Sequence, residues 1–126
     1  MEIRQVGIPI VDLDRAVDFY SSLLEQEPVA VFSGGKLAFF SLGKTRLLLD
    51  GNIKPKNQSG FIYLSVDDVN QSVSQWRAKG IRIISEPHIV FDDANGIFDH
   101  PGQEWLAFFE DSEGNQIGIM SREIQR

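Results

Sequence analysis

The chain has two imidazoles, His88 and His100, in a stretch that also holds Asp92, Asp93, Asp99 and Glu104. Imidazole and carboxylate side chains together can ligate a divalent cation, and a histidine titrating near neutrality can act as a general base. The competing reading is two histidines on surface loops. His100-Pro101-Gly102 has the composition of a turn, which favours that second reading. With no cysteine, thiolate–metal sites, cysteine nucleophiles and a disulfide scaffold are excluded. Asp111-Ser112-Glu113-Gly114-Asn115 is acidic but lacks the alternating donors and the length of a calcium loop, and reads as a turn. No Ser/His/Asp grouping or glycine-rich phosphate loop stands out.

Such residues need a scaffold, and 126 residues suffice for one ordinary hydrophobic core. At 42% hydrophobic and 24% charged, the composition is that of a soluble globular protein. The formal charge is −6 and the 12 basic residues are scattered, Lys54 and Lys56 being the nearest to a cluster. A nucleic-acid surface needs a basic stripe, so nucleic acid is not an expected partner. No apolar run reaches the ~20 residues that span a bilayer, and the start of the chain lacks a secretory apolar segment. A cytoplasmic protein without a membrane partner is the expectation.

Hydrophobic periodicity divides the chain into two similar halves. Val6, Ile8 and Ile10 alternate with Gln5, Gly7 and Pro9, as on a strand with one packed face. Asp12 offers an N-cap, and Ala16, Phe19, Tyr20, Leu23 and Leu24 recur at helical spacing. Val29–Phe32, Leu37–Leu42 and Thr45–Asp50 read as strands joined by glycine turns. The pattern then returns. Phe61–Val66 alternates, Asp68 caps, Val69, Val73 and Trp76 mark a helix face, and Gly80 suits its C-terminal end. Ile81–Ile84, Leu106–Glu110 and Gln116–Ser121 read as the closing strands. Asp12-Leu13 and Asp68-Val69 are related by a shift of 56 positions, 12 to 68, and the two Leu-Ala-Phe-Phe runs by 69, 37 to 106. The second half therefore carries 13 more residues, within 81–105, where both histidines fall. A connection of that length reads as a lid or a solvated excursion.

The strings Asp12-Leu13-x-x-Ala16-x-x-Phe19-Tyr20 and Phe108-Phe109-x-Asp111-x-x-Gly114-Asn115, set in two β-α-β-β-β modules, resemble the glyoxalase / bleomycin-resistance / extradiol-dioxygenase superfamily. The resemblance covers about residues 3–121. It implies an α+β fold: two tandem β-α-β-β-β modules forming a curled mixed sheet around an open cleft. One domain over 1–126 follows, with module one at about 2–51, a linker at 52–59 and module two at about 60–121.

Metal-dependent members of that superfamily draw a His from the first strand and a Glu from the last strand of each module. At the matching positions this chain has Gln5, Phe61, Gly118 and one of Leu47, Leu48 or Leu49. An amide, a ring, a bare backbone and an alkyl group do not make a divalent-cation site, which needs several converging N, O or S donors. No cofactor is expected at that site. Strand alternation lines the cleft with Gln5, Leu48, Phe61, Tyr63, Ser65, Gln116, Gly118 and Met120, and Trp105 is placed to stack on a planar ligand. Apolar walls with a few polar anchors are the usual makeup of a small-molecule pocket.

The expected function is therefore metal-independent binding of a small organic ligand in the inter-module cleft. The acidic balance fits a planar cation. The alternative is a metal-dependent lyase, isomerase or dioxygenase with a divalent ion relocated to His88 and His100. A third possibility is a dimeric protein whose cleft has no ligand. The resemblance also implies a homodimer.

Overall fold

The computed structural model describes residues 3–53, 62–98 and 100–124. The chain forms two compact units. The first contains β1 (Gln5–Pro9), α1 (Leu13–Leu24), β2 (Ala30–Phe32), β3 (Leu37–Leu42) and β4 (Thr45–Asp50), in a mixed sheet of order β1-β4-β3-β2. The second contains β5 (Ile62–Ser65), α2 (Val69–Ala78), β6 (Arg82–Asp93), β7 (Gly102–Glu110) and β8 (Gln116–Ile124), in the order β5-β8-β7-β6. The expected pair of β-α-β-β-β modules is what the chain forms. The linker expected at 52–59 falls mostly outside the described residues.

In both sheets the first strand pairs in parallel with the last, and the helix crosses one face. Alternation then sorts the side chains. In the first unit Ile8, Ala38, Phe40, Leu47 and Leu49 are buried on the helix side, where Tyr20 of α1 meets the Phe40 ring at 6.3 Å. In the second, Ala107, Phe109, Ile117 and Ile119 are buried and the Trp76 ring of α2 sits edge-on to Phe109 at 5.0 Å. The opposite, open face of each sheet carries the intervening residues.

The helices start where the carboxylates predict. Asp12 accepts from Arg15 N at 3.0 Å, and Asp68 Oδ1 accepts from Asn70 N and Gln71 N at 2.9 and 3.3 Å. Gly80 follows α2 at φ +83°, a conformation glycine adopts without a Cβ penalty. Asp68→Ala orphans two helix N–H groups, and a fall in unfolding free energy of about 1 kcal/mol is expected in a urea titration.

The long segment in the second half differs from its expectation. A strand was expected only over Ile81–Ile84, followed by a lid or excursion; instead β6 continues to Asp93 and β7 begins at Gly102, so most of the additional residues lengthen a hairpin. β6 is an edge strand and tolerates Pro87 and three interruptions of its register. The tip is held by Asp93. Its fully buried carboxylate accepts from Ile97 N at 2.7 Å, Phe98 N at 2.9 Å and Arg122 Nη2 at 2.8 Å. Burial raises its pKa, but those donors outweigh burial and the net shift is downward.

The turn Ser112–Asn115 joins β7 to β8, yet it belongs to the first unit. Glu113 Oε1 accepts from Val11 N at 2.8 Å and Asp12 N at 2.7 Å, just ahead of α1. Arg15 Nε lies 2.8 Å from Oε2, and Ser112 Oγ donates to the same oxygen at 2.8 Å. Asn115 Nδ2 donates to Pro9 O at 2.8 Å. Burial pushes the Glu113 carboxyl up, but its bonds to Arg15, Asp12, Ser112 and Val11 prevail and hold it at about 2, below its ordinary 4.5.

Candidate functional site

The open faces carry the residues that alternation assigned to a ligand. Gln5 and Leu48 lie on the open face of the first sheet. Tyr63, Ser65, Gln116, Gly118 and Met120 lie on that of the second. Of the three leucines considered, Leu47 and Leu49 are buried under α1, so Leu48 is the one on the open face. Phe61 lies outside the described residues.

Trp105 does not join this group. It pairs with Ser121 and shares the parity of Ala107 and Phe109, which puts it on the helix side of the second sheet, with Nε1 3.3 Å from Glu123 Oε2. There it lines a recess of about 380 Å³ with Asp67, Asp68, Asn70 and Ser121.

One rung recurs in both sheets. In the first it reads Gly7–Leu48–Phe39, in the second Tyr63–Gly118–Phe108. Each rung holds a glycine, a phenylalanine from a Leu-Ala-Phe-Phe run and one bulky side chain, but glycine and bulk have exchanged strands. In the first rung a Cβ on Gly7 would sit 3.7 Å from Leu48 Cδ2, an ordinary contact. In the second the Tyr63 ring lies over the Gly118 backbone. A Cβ there would come within 2.6 Å of Tyr63 Cδ1 and 3.2 Å of Phe108 Cε1. Tyr63 and Phe108 meet at 5.9 Å with their planes 63° apart, and Tyr63 remains 50% exposed. The last-strand positions that would carry glutamates in metal-dependent relatives thus hold an alkyl side chain and a space already taken by a phenol ring.

The histidines do not converge. His88 pairs with Leu106 on β7, and its Nδ1 is 2.9 Å from Glu86 O. His100 precedes Gly102, which is four rungs further along that ladder, roughly 13 Å at strand spacing. Two carboxylates of the same stretch are already engaged: Arg122 bonds Asp93 and Glu104, each at 2.8 Å, and the His100 carbonyl. Asp99 lies outside the described residues. Among the described residues no three His, Asp or Glu side chains group to hold a metal. Among the described residues, the side chains at neither location fit a divalent ion.

Glu113 and Arg122 escaped the sequence reading. Glu113 was legible only as a turn residue, because its partners at the entry to α1 lie 98 to 102 positions away. Trp105 was recoverable from parity with Phe109. Among the described residues no helix is long and apolar enough to cross a membrane.

Several solved structures share this fold. A lactoylglutathione lyase from Agrobacterium tumefaciens superposes with a TM-score of 0.73 at 21% identity, covering 95% of this chain and 92% of its own. An antibiotic binding protein from Streptomyces gives 0.72 at 21% identity, covering 98% and 97%. A glyoxalase/bleomycin resistance protein from Albidiferax ferrireducens gives 0.69 at 21%, covering 95% and 98%. No curated protein sequence matches the chain. At such identities the structural likeness establishes the fold. The sequence profile that matches residues 2–119 establishes kinship, and by it the chain belongs to the Glyoxalase/Bleomycin resistance protein/Dioxygenase superfamily.

Proposed function

We propose that this protein binds a small organic molecule on its open sheet faces without using a metal. The observation that carries the reading is the Tyr63–Gly118–Phe108 rung. There an aromatic pair occupies the place a metal-ligating carboxylate would need, and half of Tyr63 stays available for contact. An exposed ring held by a second ring is a preorganised stacking surface, and Ser65 and Gln116 on the same face supply polar anchors. The antibiotic binding protein among the structural relatives supports binding as a role for this scaffold.

The test is thermal denaturation against a panel of planar aromatic compounds of differing charge, with and without a chelator. A ligand at a hundredfold excess over its Kd adds about 2.7 kcal/mol, which raises the midpoint by several degrees. The shift is expected to survive chelation. Tyr63→Ala is expected to weaken binding by at least about tenfold, equivalent to roughly 1.4 kcal/mol of lost contact. If stoichiometric metal co-purifies and disappears when His88 and His100 are both changed to Ala, the metal-dependent enzyme replaces this reading.

A further inference from the structure

We infer that the open face of the first sheet carries an anion anchor, with Arg46 as its centre, that takes an amphipathic carboxylate. This rests on the proposal above that the open sheet faces bind small organic molecules, and it concerns the first sheet by itself.

The placement follows from the register. Arg46 of β4 pairs with Gln5 of β1 on one side and Ser41 of β3 on the other. Cross-strand partners project to the same face, so amide, guanidinium and hydroxyl form one row. Leu47 and Leu49 point under α1 and are 3% and 0% exposed, so Arg46, one residue from Leu47, points to the open face. At a strand spacing of about 4.8 Å the three side chains span roughly 10 Å, the width of a small polar head group and its bonding partners. All three are exposed. Among the described residues the Arg46 side chain makes no hydrogen bond or ion pair. The other arginines with described side-chain bonds are committed: Arg15 to Glu113, Arg77 to Glu86, Arg82 to Glu110 and Arg122 to Asp93 and Glu104.

The neighbouring rung supplies the other half of the ligand. Two residues along each strand the row becomes Gly7, Leu48 and Phe39, and the Phe39 ring is joined edge-on by Phe32 at 6.0 Å. Gly7 leaves room above the backbone beside Leu48. A polar cationic row thus adjoins an apolar floor. Among the described residues of these strands the acid on this face is Asp50, four residues from Arg46 and roughly 13 Å away, with its carboxylate bonded to Asn52. The chain as a whole is acidic at −6, but the charged side chain in this row is the guanidinium of Arg46. A guanidinium fork matches a carboxylate with two parallel hydrogen bonds, and Gln5 and Ser41 can each donate one more.

The probes are naphthoate and its uncharged isostere naphthamide, titrated calorimetrically into the intact protein. Wild type is expected to bind the acid at least about tenfold more tightly than the amide, with the preference shrinking at high salt. Arg46→Gln is expected to bring the two within about twofold while leaving the melting temperature without ligand unchanged, since the side chain is exposed. Arg46→Lys retains part of the preference, because it keeps the charge and loses the fork. Equal affinities in wild type, or a preference that survives Arg46→Gln, overturns the anchor and leaves the Tyr63-dependent binding of other compounds standing. Binding of neither probe, with uncharged or cationic aromatics still bound, also overturns the anchor alone. If no compound of any charge binds, the binding function falls with it.

Discussion

Glu113→Ala is expected to lower the unfolding free energy by about 2–3 kcal/mol, because a buried carboxylate that accepts two backbone N–H groups is lost while its ion-pair partner Arg15 is half exposed. The change orphans Val11 N and Asp12 N and leaves Arg15 without its carboxylate. Glu113→Gln is expected to cost less, because an amide oxygen still accepts from the two backbone groups. The same residue sets a pH dependence. Its carboxyl sits at about 2 in the folded chain against 4.5 ordinarily, so the folded state binds the proton less readily than the unfolded state. The stabilisation is complete above about pH 4.5 and is lost as pH falls from there through 2, amounting to about 3 kcal/mol. Asp93 shifts in the same direction and adds to the acid sensitivity. Urea titrations between pH 2 and 7 measure both effects. In Glu113→Gln the acid loss should be markedly smaller, and an unchanged pH profile would refute the assignment.

Gly118→Ala is expected to cost about 1–3 kcal/mol, the range for overpacking, because its Cβ would meet the Tyr63 ring at 2.6 Å. Gly7→Ala, the corresponding change in the other sheet, meets only an ordinary 3.7 Å contact and is expected to stay within about 0.5 kcal/mol. Combining Gly118→Ala with Tyr63→Ala should recover much of the loss, a coupling that a double-mutant cycle reads directly. Gly118→Glu restores a carboxylate in name only. The ring must move for it to enter, and the remaining positions supply no imidazole, so no stoichiometric metal is expected by elemental analysis. Equal costs for the two alanine substitutions would show that the Tyr63 ring does not rest where the structure places it.

Much of the fold could be read directly because its signals are local. Asp12 and Asp68 announce helices a few residues ahead, and alternation along Gln5–Pro9 separates two faces without knowledge of the partner strand. The Leu-Ala-Phe-Phe repeat adds one long-range fact, that Phe39 and Phe108 occupy equivalent places. What stayed hidden depends on register and rotamer. Alternation could put Leu48 among the cleft residues, but which of Leu47, Leu48 and Leu49 stands at the family's carboxylate position was open until β4 was aligned with β1. The Tyr63 ring over Gly118 requires both the parallel pairing and a side-chain direction. Arg46 carries no motif and acquires meaning only beside Gln5 and Ser41. Trp105 was within reach of simple parity, since it stands two residues from Ala107 and four from Phe109. The continuation of β6 was obscured by Pro87, which an edge strand accommodates and a central one would not.

The turn at Ser112–Asn115 bears on the order in which the chain can mature. The first unit is spelled by the opening part of the sequence, yet the entry to α1 is completed by a glutamate about a hundred positions later. During synthesis, β1 to β4 and α1 therefore emerge as a subassembly whose Val11 and Asp12 amides wait for Glu113. Closing a loop of that length carries a large but slowly growing entropic cost, and contacts of high sequence separation slow folding. A fragment ending after β4 should be less stable than its own contacts suggest, and the full chain should gain cooperativity only when the last hairpin has been made. The entry to the first helix is thus completed by a turn encoded between the last two strands of the chain.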